Sequence, residues 1–273
     1  MIALALACLL PFIHVLAFSF SSPAAASSGL VTFWPVDWNT DAYRLIMHDN
    51  KFIASFWISV RRAVIGTLIS CLLTVITAYP LSKESLRFRS RTVYVWFFVV
   101  TMLFGGGLVP NYMVIRAYGL LDTFWVLIIP SAVQVFNITM MLHFFRGLPK
   151  ELEESAYVDG AGHWKILFII YLPLSLPSLA TVGLFTIVGH WNSWFDGLLY
   201  MNKPESYPLQ TYLQTIVTNP DMSKMSSLEE VLNVSRETIK TAQIFLGMLP
   251  ILIVYPFLQR YFVKGITLGS VKG

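Results

Sequence analysis

Charged side chains are scarce in this chain, at 12% of its residues, but four acids crowd into nine positions. They are Glu151, Glu153, Glu154 and Asp159. Long uncharged runs lie on both sides of them. Carboxylates grouped in this way can form charged contacts with a partner, or they can line a surface helix that has no partner.

The histidines and cysteines do not indicate a second centre. His14, His143 and His190 fall in separate apolar runs, without the H-E-x-x-H spacing that places two metal ligands on one helix face. Cys8 and Cys71 also lie in apolar runs and are typical of small buried side chains. We therefore predict no catalytic residue, no metal site and no enzyme activity for this chain.

Six windows without Asp, Glu, Lys or Arg, each at least 19 residues long, determine the predicted fold class. About 20 apolar residues in a helix cross a ~30 Å hydrocarbon core, and lipid forces each segment to satisfy its own backbone hydrogen bonds. The prediction is an all-α polytopic membrane protein, one transmembrane domain over 1–273 with six helices. A cleaved signal peptide is the alternative for the first window, but no Lys or Arg precedes it. The predicted spans are 2–20, 63–81, 93–115, 123–145, 166–195 and 241–259. Within the third of them, Gly105–Gly107 and Pro110 allow either a broken helix or a closely packed one.

The distribution of Lys and Arg predicts the orientation. These residues are about twice as dense in 82–92, 146–165 and 260–273 as in the other loops, which marks that side as cytoplasmic. Both termini are then cytoplasmic, and the net charge of +4 reflects topology rather than binding to nucleic acid. On the outer side, Ser227 and Glu230 have capping-box spacing and predict a helix start.

The acidic segment itself predicts two helices. Pro149 suits a first helical turn, the glutamates suit the positive end of the helix dipole, and Gly160 and Gly162 are natural stops. A second helix should start near residue 163 and run into the fifth span, where Pro173 and Pro177 predict kinks or a membrane re-entry. A short surface helix joined in this way to a span has the shape of a lever.

The spacing of this segment resembles a family signature. Permeases of binding-protein-dependent ABC importers carry "EAA", three residues, Gly, nine residues and "I-x-LP" in a cytoplasmic loop. The present chain matches without a gap, with Ser155 in place of Ala as the one departure. The "DGA" at 159–161 resembles carbohydrate-type members. The matching positions are Glu154, Ser155, Ala156, Gly160, Ile170, Leu172 and Pro173.

Looser motifs extend the resemblance over nearly the whole chain. They resemble the sugar-importer permeases, and more narrowly the branch that handles complex or uronic-acid oligosaccharides such as alginate fragments. The motifs are "AYPLSK" (78–83), "WNSWFDGLLYM" (191–201), "YPLQTYL" (207–213) and the terminal "VKGITLGSVKG".

The resemblance implies a type I importer architecture in the cytoplasmic membrane and a set of partners. These are a second permease subunit, two ATP-binding subunits and an extracytoplasmic sugar-binding protein. The chain lacks a "GxxxxGK[ST]" motif, so ATP and Mg are expected on the ATPase subunits, with no cofactor here. Within loop 146–165 and at its junction with the fifth span, the residues expected to couple to the ATPase are Glu151, Glu153, Glu154, Ser155, Ala156, Asp159, Gly160, Ala161 and Pro173.

Polar residues near or within the spans are candidates for a substrate pathway. Arg61 and Arg62 could meet an anionic sugar carboxylate, because a charge near membrane depth faces a partner or a watery cavity. Alternatively, they form an interfacial pair. The other candidates could instead be interfacial or helix-joining residues. They are Asn111, Gln134, Asn137, Trp191, Asn192, Trp194 and Asp196.

A secondary transporter of a small polar solute is the alternative function. Such proteins are typically built from inverted repeats and carry ionisable groups inside the membrane. The sequence shows no internal repeat, and its Asp and Glu residues lie at or outside the ends of the predicted spans.

Overall fold

A computed structural model describes residues 2–84, 88–218 and 236–270, and these ranges contain helices and turns without a β-strand. The all-α prediction is therefore confirmed. The helix start predicted at Ser227 lies outside the described residues. The α-helices are α1 Ile2–Ser19, α2 Pro23–Ser27, α3 Asp41–His48, α4 Asn50–Ser82, α5 Arg91–Leu103, α6 Leu108–Ala117, α7 Val135–Arg146, α8 Lys150–Val158, α9 His163–Ile166, α10 Leu172–Leu174, α11 Leu176–Asn192, α12 Phe195–Tyr200, α13 Leu209–Thr218 and α14 Arg236–Ser270.

The long apolar helices follow the predicted windows. Among the described residues, α4 and the stretch Glu237–Val254 of α14 are each long and apolar enough to cross a membrane. Three bent pairs also meet this criterion when each pair is counted as one span, whereas the apolar stretch Leu6–Ser19 is shorter. The pairs are Arg91–Leu103 with Leu108–Ala117, Phe124–Ser131 with Val135–Arg146, and His163–Leu174 with Leu176–Asn192. The six-span topology and the single-domain extent remain predictions.

The bends occur where the sequence weakens the helical ladder. Between α5 and α6 the chain turns by 117° at Gly105–Gly107, and Gly107 has φ +83°, a left-handed conformation that glycine adopts without steric cost. An 80° bend precedes α11, where Pro173 and Pro177 accompany a π-helical turn at Leu167–Tyr171. The broken third window and the kinked fifth window are thus confirmed.

The chain divides into two compact units. The first unit comprises Met1–Val60 and Ser193–Ile253, and the second comprises Arg61–Asn192 and Val254–Gly273. The second unit contains a buried core where the end of α4, α7, α8 and the 163–174 segment meet. Its buried members are Val75, Ala78, Tyr79, Leu81, Ile138, Met141, Leu142, Phe145, Ala156, Ile166, Leu167 and Tyr171.

Candidate functional site

The short acidic helix forms as predicted. α8 runs over Lys150–Val158, with Glu151 and Glu153 in its first turn, where the helix dipole favours negative charge. It ends before Gly160, whose φ of +74° is left-handed, and the amide of Ala161 closes the turn on the carbonyl of Ala156 at 2.9 Å. The next helix begins at His163, so both predicted starts and the glycine stop are confirmed.

The predicted coupling residues on α8 and in the turn after it divide between two surfaces. Glu153 and Ala156 are buried and share one side of the helix, with Glu153 only 6% exposed. The other acids, Ser155 and Gly160 are exposed. The exposed side also carries an apolar residue, Val158, at 88% exposure. One side of α8 is therefore attached to its own chain, while the other is free to meet a partner.

Glu153 is the centre of a buried hydrogen-bond cluster. Its Oε2 accepts hydrogen bonds from Lys83 Nζ at 2.8 Å and from Tyr171 OH at 2.7 Å, and its Oε1 accepts one from Tyr157 OH at 3.1 Å. Tyr157 OH also lies 2.9 Å from Nδ1 of His163. The cluster joins α8 to the C-terminal end of α4 and to the start of the fifth window.

Lys83 is held between aromatic rings as well as by the carboxylate. Its Nζ lies 4.0 Å from the ring centroid of Tyr79 and 4.1 Å from that of Tyr171. A cation over an aromatic face is attracted by the ring quadrupole, and the attraction grows when water is excluded. Phe145 completes the enclosure by edge contacts with both tyrosines, at centroid distances of 6.4 and 5.4 Å.

The environment of Glu153 favours its ionised form. Burial alone would raise the pKa of the carboxyl, but the hydrogen bonds from Lys83 and Tyr171 outweigh burial, so the pKa of Glu153 lies below its ordinary value. The ion pair therefore persists at neutral pH. A buried pair of this kind needs further hydrogen bonds to offset desolvation, and the two tyrosine hydroxyls supply them.

The loop that follows α4 is tied to the same region by weaker contacts. The carbonyl of Leu81 accepts hydrogen bonds from Arg91 Nε at 2.9 Å and from Arg146 Nη2 at 3.3 Å, where cations complement the end of a helix. Lys150 and Glu84 form an exposed ion pair, and the hydrogen bond to Glu84 raises the pKa of Lys150. Because both side chains are in water, this pair stabilises the loop far less than the buried one does.

The two arginines predicted for the pathway have different environments within α4. Arg61 is exposed, and its guanidinium lies 5.4 Å from the ring centroid of Phe124. Arg62 is only 1% exposed. Both lie inside α4, which begins at Asn50 and so starts before the predicted second span, 63–81. Of the two, only Arg61 is exposed.

Among the amide candidates of the second unit, Asn137 joins two helices. Asn137 is buried on α7, and its Nδ2 donates to Oε1 of Gln134 at 3.0 Å and to Oγ1 of Thr186 on α11 at 3.1 Å. Such bonds hold membrane helices together. Asn111 lies exposed on α6, away from this network. At the end of α11, Trp191 is buried and Asn192 is exposed.

The remaining two candidates belong to the first unit, at the start of α12. Asp196 accepts hydrogen bonds from Ser193 Oγ and from the amide of Gly197, both at 2.9 Å. Trp194 is partly exposed and lines a pocket. The candidate pathway residues are thus distributed over several local environments in both units.

Sequence reasoning did not identify the partners of Glu153. Lys83, Tyr157 and Tyr171 complete the cluster, and two of them lie within stretches singled out above, "AYPLSK" and the run ahead of "LP". Two features of the sequence could have indicated this pair. Lys83 lies two residues after the apolar window 63–81, and Glu153 shares a side of its helix with Ala156.

Apolar helices long enough to span a membrane, together with a short acidic helix packed against them, are the features that the sequence predicted for a transport permease, and comparison with known proteins agrees. Residues 53–268 match the family of binding-protein-dependent transport system inner membrane components. The chain belongs to this family.

Several named proteins are similar along nearly their full length. The polygalacturonan/rhamnogalacturonan transport system permease protein YtcP of Bacillus subtilis (strain 168) is 42% identical, with 98% of this chain and 94% of that protein covered. The inner membrane ABC transporter permease protein YcjP of Escherichia coli (strain K12) is 29% identical, with 97% of this chain and 91% of that protein covered.

A solved structure has the same fold. A chain in the crystal structure of a bacterial ABC transporter involved in the import of the acidic polysaccharide alginate superposes with a TM-score of 0.91 and 34% identity. The match covers 95% of this chain and 92% of that one.

Proposed function

We propose that this chain is a permease subunit of an ATP-driven importer of acidic oligosaccharides. It pairs with a second permease, receives substrate from an extracytoplasmic binding protein and is driven by two ATPase subunits. Membership of the transport family and the likeness to permeases for polygalacturonan and alginate support this proposal. Within that family, the chain supplies a pathway and a lever rather than a catalytic site.

One observation carries the coupling role: α8 presents one side to solvent and has the other fixed to the membrane helices by Glu153 and Lys83. The exposed side combines carboxylates with Val158, a mixture suited to a groove that has apolar walls and basic rims. A push on α8 then moves the end of α4 and the start of the fifth window together, because a buried pair with two further hydrogen bonds resists separation.

An acidic substrate is consistent with the environment of Arg61. Its guanidinium is exposed, and its fork of N–H donors matches a carboxylate. The ring of Phe124 under the guanidinium orients it without neutralising its charge. Uronic-acid units carry one such carboxylate per ring, so a single well-placed arginine can recognise them during passage.

The test is reconstitution with the co-expressed permease, ATPase and binding protein in vesicles. We expect uptake of labelled oligogalacturonate that requires ATP, and a smaller uptake of neutral oligosaccharides of equal length. Uptake that proceeds without the ATPase subunits and follows an ion gradient would contradict the proposal and favour a secondary transporter.

A further inference from the structure

The first unit contains a pocket that is lined in part by Trp194 and that has not yet been assigned a role. Its volume is about 190 Å³. One wall is α13, the opposite wall is the first part of α14, and an indole closes one end. The lining residues are Trp194, Gln210, Leu213, Gln214, Val217, Ile244, Gly247 and Met248.

The polar groups of the pocket are suited to hydroxyl groups. Gln210 and Gln214 are four residues apart on α13, so their side chains share one face of the helix. Among the described residues, neither side-chain amide takes part in a hydrogen bond. Each amide offers both donors and an acceptor, which matches vicinal sugar hydroxyls that donate and accept in turn. The described lining includes no charged side chain.

The apolar groups are suited to the face of a ring. Trp194 is 39% exposed, and an indole presents a large flat surface that tolerates a polar edge beside it. Leu213, Ile244 and Met248 provide the opposite apolar surface. Gly247 lets α14 approach α13 closely, because a Cβ there would lie 2.8 Å from Cδ1 of Leu213.

Hydrogen bonds within the unit fix the walls in place. Thr211 on α13 donates to the carbonyl of Trp194 at 2.8 Å. Gly197 permits this approach, since a Cβ on it would lie 2.2 Å from Oγ1 of Thr211. The indole and the two glutamines are therefore positioned relative to each other before any ligand arrives, which reduces the entropic cost of binding.

The other side of α13 is anchored to α4. The backbone amide of Leu209 donates to Oγ of Ser59 at 2.7 Å, and Tyr212 OH donates to Oδ2 of Asp49, also at 2.7 Å. Burial and the bond to Asp49 raise the pKa of Tyr212, so the hydroxyl remains a donor across the physiological range. α13 is thus a fixed support, and its glutamines face the pocket.

We propose that this pocket binds one sugar ring of the transported oligosaccharide through its neutral, hydroxyl-bearing face. The indole of Trp194 stacks on the C–H face of the ring, and Gln210 and Gln214 hydrogen-bond its hydroxyls. The ring carboxylate points away, because the described lining offers it no cation. This site is distinct from Arg61, and it rests on the proposed transport function.

The test measures the concentration dependence of ATP-dependent uptake in the reconstituted importer. Gln210→Met and Gln214→Met keep the side-chain length and remove the amides, while Trp194→Ala removes the stacking surface and Trp194→Phe retains part of it. The matched control is Trp57→Ala, because Trp57 lies in the same unit, is 58% exposed and does not line the pocket.

We expect Trp194→Ala and the double glutamine variant each to raise KM for uptake about tenfold, which corresponds to ~1.4 kcal/mol of binding free energy. Trp194→Phe should lie between Trp194→Ala and the wild type, and Trp57→Ala should match the wild type. If the importer with Trp194→Ala fails to assemble, the KM of the double glutamine variant decides the test.

Two results would contradict the proposal that the pocket binds a sugar ring. One is an unchanged KM in the glutamine variants while the wild type transports. The other is a loss, as large as the loss of uptake, of the ATPase stimulation that the binding protein causes without sugar. That result would indicate that the pocket holds a side chain of the binding protein rather than a sugar ring. Absence of ATP-dependent uptake by the wild type would instead refute the proposed function, so the two failures are distinguishable.

Discussion

Lys83 Nζ lies 2.8 Å from Oε2 of Glu153, and this contact joins residues 70 positions apart in a buried site at the base of the acidic helix. An acid in the segment that most resembles an ATPase docking element is thus turned inward. Its immediate partner is the permease itself. The consequences concern both stability and coupling.

Removal of either partner should destabilise the protein strongly. Glu153→Ala or Lys83→Ala leaves an uncompensated buried charge, which costs about 3–5 kcal/mol. The double variant Lys83→Met with Glu153→Leu should be more stable than either single one. Thermal unfolding in detergent measures these changes. The matched control is Lys150→Ala, which breaks an exposed pair and should leave the melting temperature nearly unchanged.

The same variants should separate ATP hydrolysis from transport. If the pair transmits movement from α8, the double variant will fold and still hydrolyse ATP in the assembled importer, but it will move fewer sugar molecules per ATP. The ratio of uptake to hydrolysis is the relevant measurement. An unchanged ratio in a stable double variant would show that the pair has a structural role alone.

Acidification should weaken the cluster in a predictable direction. Because the pKa of Glu153 is lowered by folding, the stabilisation is fully present above the unfolded pKa of about 4.3. It is lost as the pH falls through the lower, folded value. Melting temperatures measured from pH 7 to pH 3 should therefore fall more steeply for the wild type than for Glu153→Gln. Parallel profiles would contradict this assignment.

Close helix packing at Gly66 gives a further prediction. A Cβ on Gly66 would lie 2.5 Å from Nε2 of the buried His190, so α4 and α11 have no room for a methyl group there. Gly66→Ala should destabilise the protein by about 1–3 kcal/mol through overpacking. Gly189→Ala is the matched control, because a Cβ at that position meets nothing within 4 Å.

Sequence patterns predicted the elements better than their bends. The apolar windows located the helices, and Gly105–Gly107 and Pro173 located two breaks, because these residues act on the local backbone. The 117° and 80° angles could not be predicted, since a weakened helix takes its direction from the helices packed around it. The start of α4 at Asn50 was not predicted, because Lys51, Arg61 and Arg62 interrupt the apolar residues that precede the uncharged window.

In the candidate site, too, local features could be predicted from the sequence and contacts between distant residues could not. The bounds of α8 follow from Pro149 and Gly160, which act locally. The burial of Glu153 depends on Lys83 and Tyr171, which are distant along the chain, so no local pattern could distinguish it from Glu154. The pathway candidates were chosen as polar outliers, and Asn137 proves to be bonded to Thr186 on a neighbouring helix.

Gly160 should be replaceable only by residues that tolerate a left-handed backbone. Its φ is +74°, and a Cβ there meets nothing within 4 Å, so the obstacle is conformational rather than steric crowding. An ordinary residue pays roughly 1–2 kcal/mol to adopt the left-handed conformation. Gly160→Val should destabilise the turn by at least this amount and reduce uptake. Gly160→Asn should retain most uptake. Equal activity of the two variants would show that the turn geometry does not matter for coupling.

Arg61 should discriminate between acidic and neutral substrates. Arg61→Ala removes an exposed guanidinium without opening a buried cavity, so we expect normal assembly and a KM for oligogalacturonate raised about tenfold, equivalent to ~1.4 kcal/mol. KM for a neutral oligosaccharide should not change. Arg61→Lys should recover part of the loss, because it keeps the charge but not the planar fork. Arg62→Ala is unsuited to this comparison, since Arg62 is buried and its removal also perturbs packing. An equal rise in KM for both sugars would show that Arg61 acts on the pathway generally and not on the carboxylate.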